Sequence, residues 1–254
     1  MVVVAPSFNN AATLRQVIDD VLQCGHPLIV VDDGSTDGAS DILTAAAEST
    51  NTSDNLTRLT VVTHSTNRGK GAALLTGFRE AIDLGFTHAL TIDTDGQHTA
   101  DDIAGLETAS RTSPHALVIG AREYEIEHYP RASRFGRTMS NRMVRIESGG
   151  TVTDTQSGMR IYPLKLVSDI ACISQRFNYE VEIVTRARWA GLPVVEAPIH
   201  CRYPPPSQRV SHYRPWMDTL HAIRLHARLL LETPRRRIKQ PRRATHTQPA
   251  ARTV

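Results

Sequence analysis

The amino-acid sequence predicts an α/β fold, a mostly parallel sheet with helices on both faces. Two patterns carry that expectation: four short apolar runs rich in β-branched residues, and a helical pattern after each of them. A third observation gives it a functional edge. Acidic and glycine-rich clusters follow the runs directly, where open α/β sheets bind ligands beyond the carboxyl ends of their strands.

The first run is Val2 to Ala5, followed by Pro6-Ser7-Phe8-Asn9-Asn10. Leu14, Val17, Ile18, Val21 and Leu22 then fall at i, i+3, i+4, i+7 and i+8, the single apolar stripe of an amphipathic helix. The second run, Leu28 to Val31, leads into Asp32-Asp33-Gly34-Ser35, and Ser35, Thr36 and Asp37 offer N-caps for a helix through Ile42 and Leu43. After the third, Leu59 to Val62, the segment Asn67-Arg68-Gly69-Lys70-Gly71 opens a helix through Leu74, Leu75, Phe78 and Ile82. The fourth, Ala89 to Ile92, ends at Asp93-Thr94-Asp95-Gly96-Gln97-His98. The first half therefore reads β-α-β-α-β-α-β.

The second half is less regular. It carries an arginine-rich helix from about Arg131 to Arg145, a turn at Asp154-Thr155-Gln156-Ser157-Gly158, a helix through Tyr179 to Trp189 and a strand at Val194 to Ile199. Pro204-Pro205-Pro206 then leads to a helix from about Pro215 to Leu231. On that helix Leu220, Ile223, Ala227 and Leu230 form one stripe, with His221, Arg224 and Arg228 beside it and Trp216 at its start. Such a helix either lies in a lipid headgroup layer or packs on a core with one face solvated. From Thr233 onward apolar residues nearly vanish, which predicts a disordered basic tail. The expected organisation is a catalytic domain over 1–213, a membrane-surface helix over 214–232 and the tail over 233–254.

Charge follows the same division. The net charge of +3 over 254 residues hides −7 up to Pro198, from 17 Lys+Arg against 24 Asp+Glu, and +10 beyond it, from 12 against 2. A basic end on an acidic body suits an anionic membrane surface. Nothing interleaves aromatics with cations as a nucleic-acid surface would, so no nucleic acid is expected as a partner. Cys24, Cys172 and Cys201 are too scattered for a metal cluster, and no run approaches a signal peptide's apolar core or a membrane span. A soluble or peripheral protein is expected.

The chemistry resides in the clusters. Asp93 and Asp95 place two hard oxygen ligands at the ligand edge, suited to Mg²⁺ or Mn²⁺ and, through the metal, to a departing diphosphate. Asp32 and Asp33 can accept hydrogen bonds from a base or ribose, while Asp33-Gly34 also reads as a turn and Ser35 to Asp37 as a helix cap. Asn67 to Gly71 puts cations and glycines at a helix N-terminus, either an anion site or a plain helix entry.

Together these motifs resemble family 2 glycosyltransferases of the GT-A nucleotide-diphospho-sugar transferase fold, from about Val2 to Leu231. The D-x-D-x-Q-H pattern and Asp154-Thr155-Gln156-Ser157-Gly158-Met159-Arg160 are most similar to the polyprenyl-phosphate sugar transferases, such as the dolichol-phosphate mannose and glucose synthases. The resemblance implies that Pro6, Phe8, Asp32, Asp33 and Lys70 bind the nucleotide, and that Asp93, Asp95 and Gln97 hold the metal and diphosphate. Arg122 would face the acceptor phosphate, with Arg137 and Arg160 as further candidates and Arg202 and Arg209 added because they follow the Val194 to Ile199 strand on the Pro204-Pro205-Pro206 loop. Two departures stand out: the usual P-x-Y-N-E reads Pro6-Ser7-Phe8-Asn9-Asn10, and the Q-x-x-R-W motif of processive synthases is missing. The first leaves open a sugar-nucleotide-binding relative without activity.

The implied activity is inverting transfer from a nucleotide-diphosphate sugar to a lipid phosphate, by a peripheral protein on the cytoplasmic face of the membrane. A phosphate monoester is already an anion near neutral pH and needs no strong base to attack an anomeric carbon. A hydroxyl acceptor, on a glycolipid or envelope glycan, would need one. Asp154 is the candidate base, and capping the Ser157-Gly158 turn is its other role.

Overall fold

Each N-terminal run forms a strand, and the helix after it returns the chain so that the next strand lies parallel. The computed structural model describes residues 1–50, 58–123, 131–202 and 215–239. Strand β1 (Val2–Ser7), helix α1 (Ala11–Gln23), β2 (Leu28–Asp32), α2 (Ala39–Thr50), β3 (Leu59–Thr63), α3 (Lys70–Asp83) and β4 (His88–Thr91) follow the predicted order. A 3₁₀ turn at Ala100–Asp102 leads to α4 (Ile103–Thr112), β5 (Leu117–Arg122), α5 (Arg131–Ser148), β6 (Arg160–Pro163) and α6 (Leu164–Asp169). The chain continues through α7 (Asn178–Trp189), β7 (Val194–Ile199) and α8 (Pro215–Lys239).

The seven strands form one sheet in the order β3-β2-β1-β4-β6-β5-β7. Only β6, between β4 and β5, runs antiparallel to its neighbours. It is four residues long and opens on an arginine, so no apolar run announces it. Alternation along β1 divides the core. Val2 and Val4 face a layer with Ala73, Phe78, Val144, Ile183 and Leu229, whereas Val3 and Ala5 face one with Leu14, Ile18, Leu43 and Leu106. Helices thus cover both faces, as predicted.

The last helix differs from the expectation in two ways. It continues through Thr233 to Lys239, so the predicted tail boundary falls inside a helix, and residues 240–254 lie outside the described part. It also has two apolar faces. Leu225 and Leu229 are buried, Arg228 bonds Glu182 at 2.8 Å and His226 bonds Glu147 at 2.8 Å, which docks the helix on α5 and α7. Arg228 is therefore an inward anchor and not a flanking surface cation. The predicted stripe of Leu220, Ile223, Ala227 and Leu230 faces outward.

Leu229→Ala should destabilise the fold by about 2–5 kcal/mol, whereas Ile223→Ala should stay within about 0.5 kcal/mol. Urea unfolding of the two variants checks this, and equal losses would contradict the assignment of faces.

Candidate active site

The carboxyl ends of the strands bring most of the candidate residues together. Pro6 and Phe8 leave β1, Asp32 and Asp33 leave β2, the Asp93-to-His98 turn leaves β4, and Arg122 ends β5. Arg202, just past β7, joins them through its N–H, which donates to Gln97 O at 2.9 Å, while Cys201 bridges His98. Its side chain is exposed at the rim. Arg209 lies outside the described residues.

Asp33 anchors a loop. Its Oδ1 accepts from Arg68 N at 2.9 Å and from His64 Nδ1 at 2.7 Å, and its Oδ2 accepts from Gly69 N at 2.7 Å. The anion at the start of α3 is thus the protein's own carboxylate, fully desolvated and satisfied by backbone amides. Gly34 makes the approach possible: its φ is +75° and a Cβ there would stand 2.7 Å from Thr66 C. Asp32 is also buried and accepts from Ser35 N at 3.0 Å, closing the turn after β2. Both readings of Asp32 to Ser35 therefore have a basis here: turn chemistry occupies much of each carboxylate, at the edge where a nucleotide would lie.

Lys70 turns inward. Its ammonium sits 2.7 Å from Asp93 Oδ1 and 2.9 Å from Glu180 Oε1, joining α3, the end of β4 and the start of α7. Burial works against the ammonium, but Asp93 and Glu180 outweigh it and raise the lysine's pKa. Burial likewise disfavours the charged form of Asp93, yet Lys70, with His98 and Arg122, holds its carboxyl below the ordinary value. Gly158 completes the cradle, because a Cβ there would fall on Asp93 Oδ2. Glu180 carried no motif. The one available signal was that apolar residues surround α7 on every side, so acids at positions 180 and 182 had to enter the core.

Among the described residues Asp95 makes no ion pair of that kind. Burial and the charge of Asp93 push its carboxyl up to about 6, against the Gln97 N–H it accepts at 3.0 Å. A second cation beside Asp93 and Asp95 would relieve that penalty, and both carboxylates with the Gln97 amide are hard oxygen donors of the kind Mg²⁺ and Mn²⁺ take. The residues present therefore fit a divalent cation. His98 stands in the same group; burial, aided by Arg122 and Lys70, lowers its imidazole to about 4 despite the attraction of Asp93.

The third cluster centres on Asp154, which is fully buried. Arg122 grips it bidentately, Nε to Oδ2 at 2.7 Å and Nη2 to Oδ1 at 2.9 Å, and Arg137 Nη1 reaches Oδ2 at 3.2 Å. Asp154 Oδ1 also accepts from Gln156 N at 3.3 Å, the expected turn cap. Burial opposes its charge, but the Arg122 hydrogen bond and the charges of Arg122 and Arg137 outweigh that and lower its pKa. A depressed pKa makes a poor proton acceptor. Arg137 is fully buried beneath this cluster, not on the outer face of α5. Arg160 turns inward and does not face a phosphate as expected: it is fully buried and donates to Ser157 O, Glu180 O and Thr155 O at 2.7, 2.6 and 2.8 Å, tying the 154–158 turn to α7.

The family model described as Glycosyl transferase family 2 matches residues 2–170. Similar chains include a UDP-N-acetylglucosamine–dolichyl-phosphate N-acetylglucosaminyltransferase of Methanococcus voltae, 28% identical over 79% of this chain and 84% of that one. An undecaprenyl-phosphate mannosyltransferase of Micrococcus luteus is 28% identical over 77% of this chain and 81% of its own. Among solved structures, a mannosyltransferase of Pyrobaculum calidifontis in complex with GDP-Man and Mn²⁺ superposes with a TM-score of 0.57 at 18% identity, covering 95% of this chain and 64% of that one.

Gly158→Ala should displace the Asp93 carboxylate and weaken Mn²⁺ binding by about tenfold or more, with the melting temperature lowered by only a few degrees. Electron paramagnetic resonance of free Mn²⁺ reads the affinity. Unchanged affinity would separate the Gly158 cradle from the metal ligands.

Proposed function

The chain belongs to the family 2 glycosyltransferases and has their GT-A fold, and from that premise we propose that it transfers a sugar, with inversion, from a nucleotide-diphosphate sugar to a polyprenyl phosphate at a membrane surface. The observation that carries the acceptor is the Asp154 cluster. Arg122 and Arg137 converge on one carboxylate beside the Asp93 turn, and guanidinium groups in a buried setting are suited to holding a phosphate. Asp154 is held ionised by those arginines and is unsuited to deprotonating an alcohol, whereas a phosphate acceptor arrives already charged. The relatives named for dolichyl and undecaprenyl phosphate support the same class of acceptor.

Roles then follow from position. Pro6, Phe8 and Asp32 line the nucleotide edge, while Asp33 and Lys70 shape it from within. Asp93, Asp95 and Gln97 would hold the divalent cation, which when bound offsets the charge of the departing diphosphate. Among the described residues no group of three acidic, histidine or cysteine side chains forms a metal cage. Two carboxylates completed by substrate phosphates and water is the usual arrangement for Mg²⁺. Arg122 orients the acceptor phosphate, Arg137 supports Asp154 behind it, and Arg202 meets the phosphate at the rim.

Membrane attachment draws support from the outer surface. Trp216 is 92% exposed, Leu231 77%, Phe135 68% and Ile223 61%, and Arg131, Arg134, Arg142, Arg145 and Arg224 lie exposed on the same two helices, α5 and α8. Apolar side chains among cations describe a surface that enters a headgroup layer. No described helix is long and apolar enough to cross a membrane.

One assay tests the reading: a panel of nucleotide sugars with Mn²⁺, scored for nucleoside diphosphate release, with polyprenyl phosphate either in anionic vesicles or as a short-chain soluble analogue. Release should require the phosphate, and Asp95→Ala should reduce it at least about a hundredfold. Replacing Trp216, Ile223 and Leu231 by Ser should slow transfer to the vesicle-borne acceptor by about tenfold and leave the soluble one unchanged. Equal release with a simple alcohol would overturn the acceptor assignment.

A further inference from the structure

The loop after β1 is fastened on both sides, and one fastening is peculiar. Asn9 has a φ of +52°; its Oδ1 accepts from Thr36 N at 2.7 Å and its N–H donates to Ser35 Oγ at 3.0 Å. Ala11 N donates to Asp37 Oδ2 at 2.8 Å, so the loop is latched to the turn after β2. On the other side lies Thr94, the middle residue of Asp93-Thr94-Asp95. Asn10 Nδ2 donates to Thr94 Oγ1 at 2.9 Å, Thr94 Oγ1 donates to Pro6 O at 3.1 Å, and Thr13 Oγ1 donates to Thr94 O at 2.6 Å.

Asn10 occupies the N-cap position of α1, where an asparagine side chain ordinarily accepts from its own helix, yet it makes no cap bond. Its amide is turned to Thr94 instead. The Thr94 hydroxyl has one proton, committed to Pro6 O, so it offers residue 10 only lone pairs. An amide can meet them as a donor. A carboxylate, the residue of the P-x-Y-N-E pattern at this place, cannot.

We propose that Asn10 and Thr94 are paired positioning residues that set the metal-binding Asp93–Asp95 turn against the nucleotide edge, and that asparagine stands at position 10 because threonine stands at 94. This rests on the reading of that edge as the donor site. Through the pair, a nucleoside diphosphate seated on the loop after β1 orders the carboxylates, and the nucleotide and cation strengthen each other's binding. Linkage makes that coupling reciprocal.

The test measures Mn²⁺ affinity by electron paramagnetic resonance with and without UDP or GDP, using whichever tightens Mn²⁺ in the unchanged protein. The ratio of the two affinities is the coupling. Asn10→Ala and Thr94→Ala should each lower the ratio at least about threefold, the double substitution should lose no more than either single one, and Asn10→Glu should fall below Asn10→Ala. In the Thr94→Ala background, Asn10→Glu should be no worse than Asn10→Ala. Melting temperatures report any general loosening separately. Additive losses, or Asn10→Glu equal to the unchanged protein, would overturn the pairing while leaving the donor site standing. Failure of the unchanged protein to bind Mn²⁺ with either nucleotide would overturn the donor-site reading and the inference with it.

Discussion

A buried ammonium shared by two carboxylates holds the site together. Lys70 bonds Asp93 and Glu180 from three different elements, and the turn that follows β4 takes its place from that contact. Charges so desolvated are costly unless paired, and removing one partner leaves the others uncompensated. The pair therefore fixes position more than it adds stability. It also separates the two aspartates: Lys70 pairs with Asp93, while burial and the charge of Asp93 press on Asp95.

Paired charge also organises the Asp154 cluster. Asp154 lies between Arg122 and Arg137 in a buried cluster. The two clusters differ in character, with carboxylates at Asp93 and Asp95 and guanidinium groups at Arg122 and Arg137. An anionic diphosphate would need a divalent cation to approach Asp95, whereas a phosphate could approach Arg122 directly. Arg160, which binds the carbonyls of Thr155, Ser157 and Glu180, keeps the turn carrying Asp154 in register with the helix carrying Glu180.

The parallel half of the fold was legible because its strands are continuous apolar runs and its helices carry one stripe each. Strand β6 was not, since it is four residues opening on an arginine that the core satisfies through backbone carbonyls, and β5, although its Leu117-Val118-Ile119 run is apolar, was missed with α4. Position along the sheet edge was legible for the strands that were, so the Asp93 turn and Asp32 stand at the ends of β4 and β2. What each side chain faces was not. Asn67 to Gly71 has the pattern of an anion site, and the anion proves to be Asp33, supplied from another strand. Arg137 and Arg160 were expected to face an acceptor phosphate, and tertiary packing buries both. Glu180 has no motif at all. Periodicity reveals a face, but the partner on that face comes from elements distant in sequence.

Attack by a phosphate oxygen on the sugar, without a protein base, is the central claim. Phosphorus NMR of a reaction with a short-chain polyprenyl phosphate, the active nucleotide sugar and Mn²⁺ tests it most directly. The phosphomonoester signal should give way to a phosphodiester linked to the anomeric carbon with inverted configuration. A monoester signal that persists while the nucleotide sugar is consumed, or a product of retained configuration, would contradict the account.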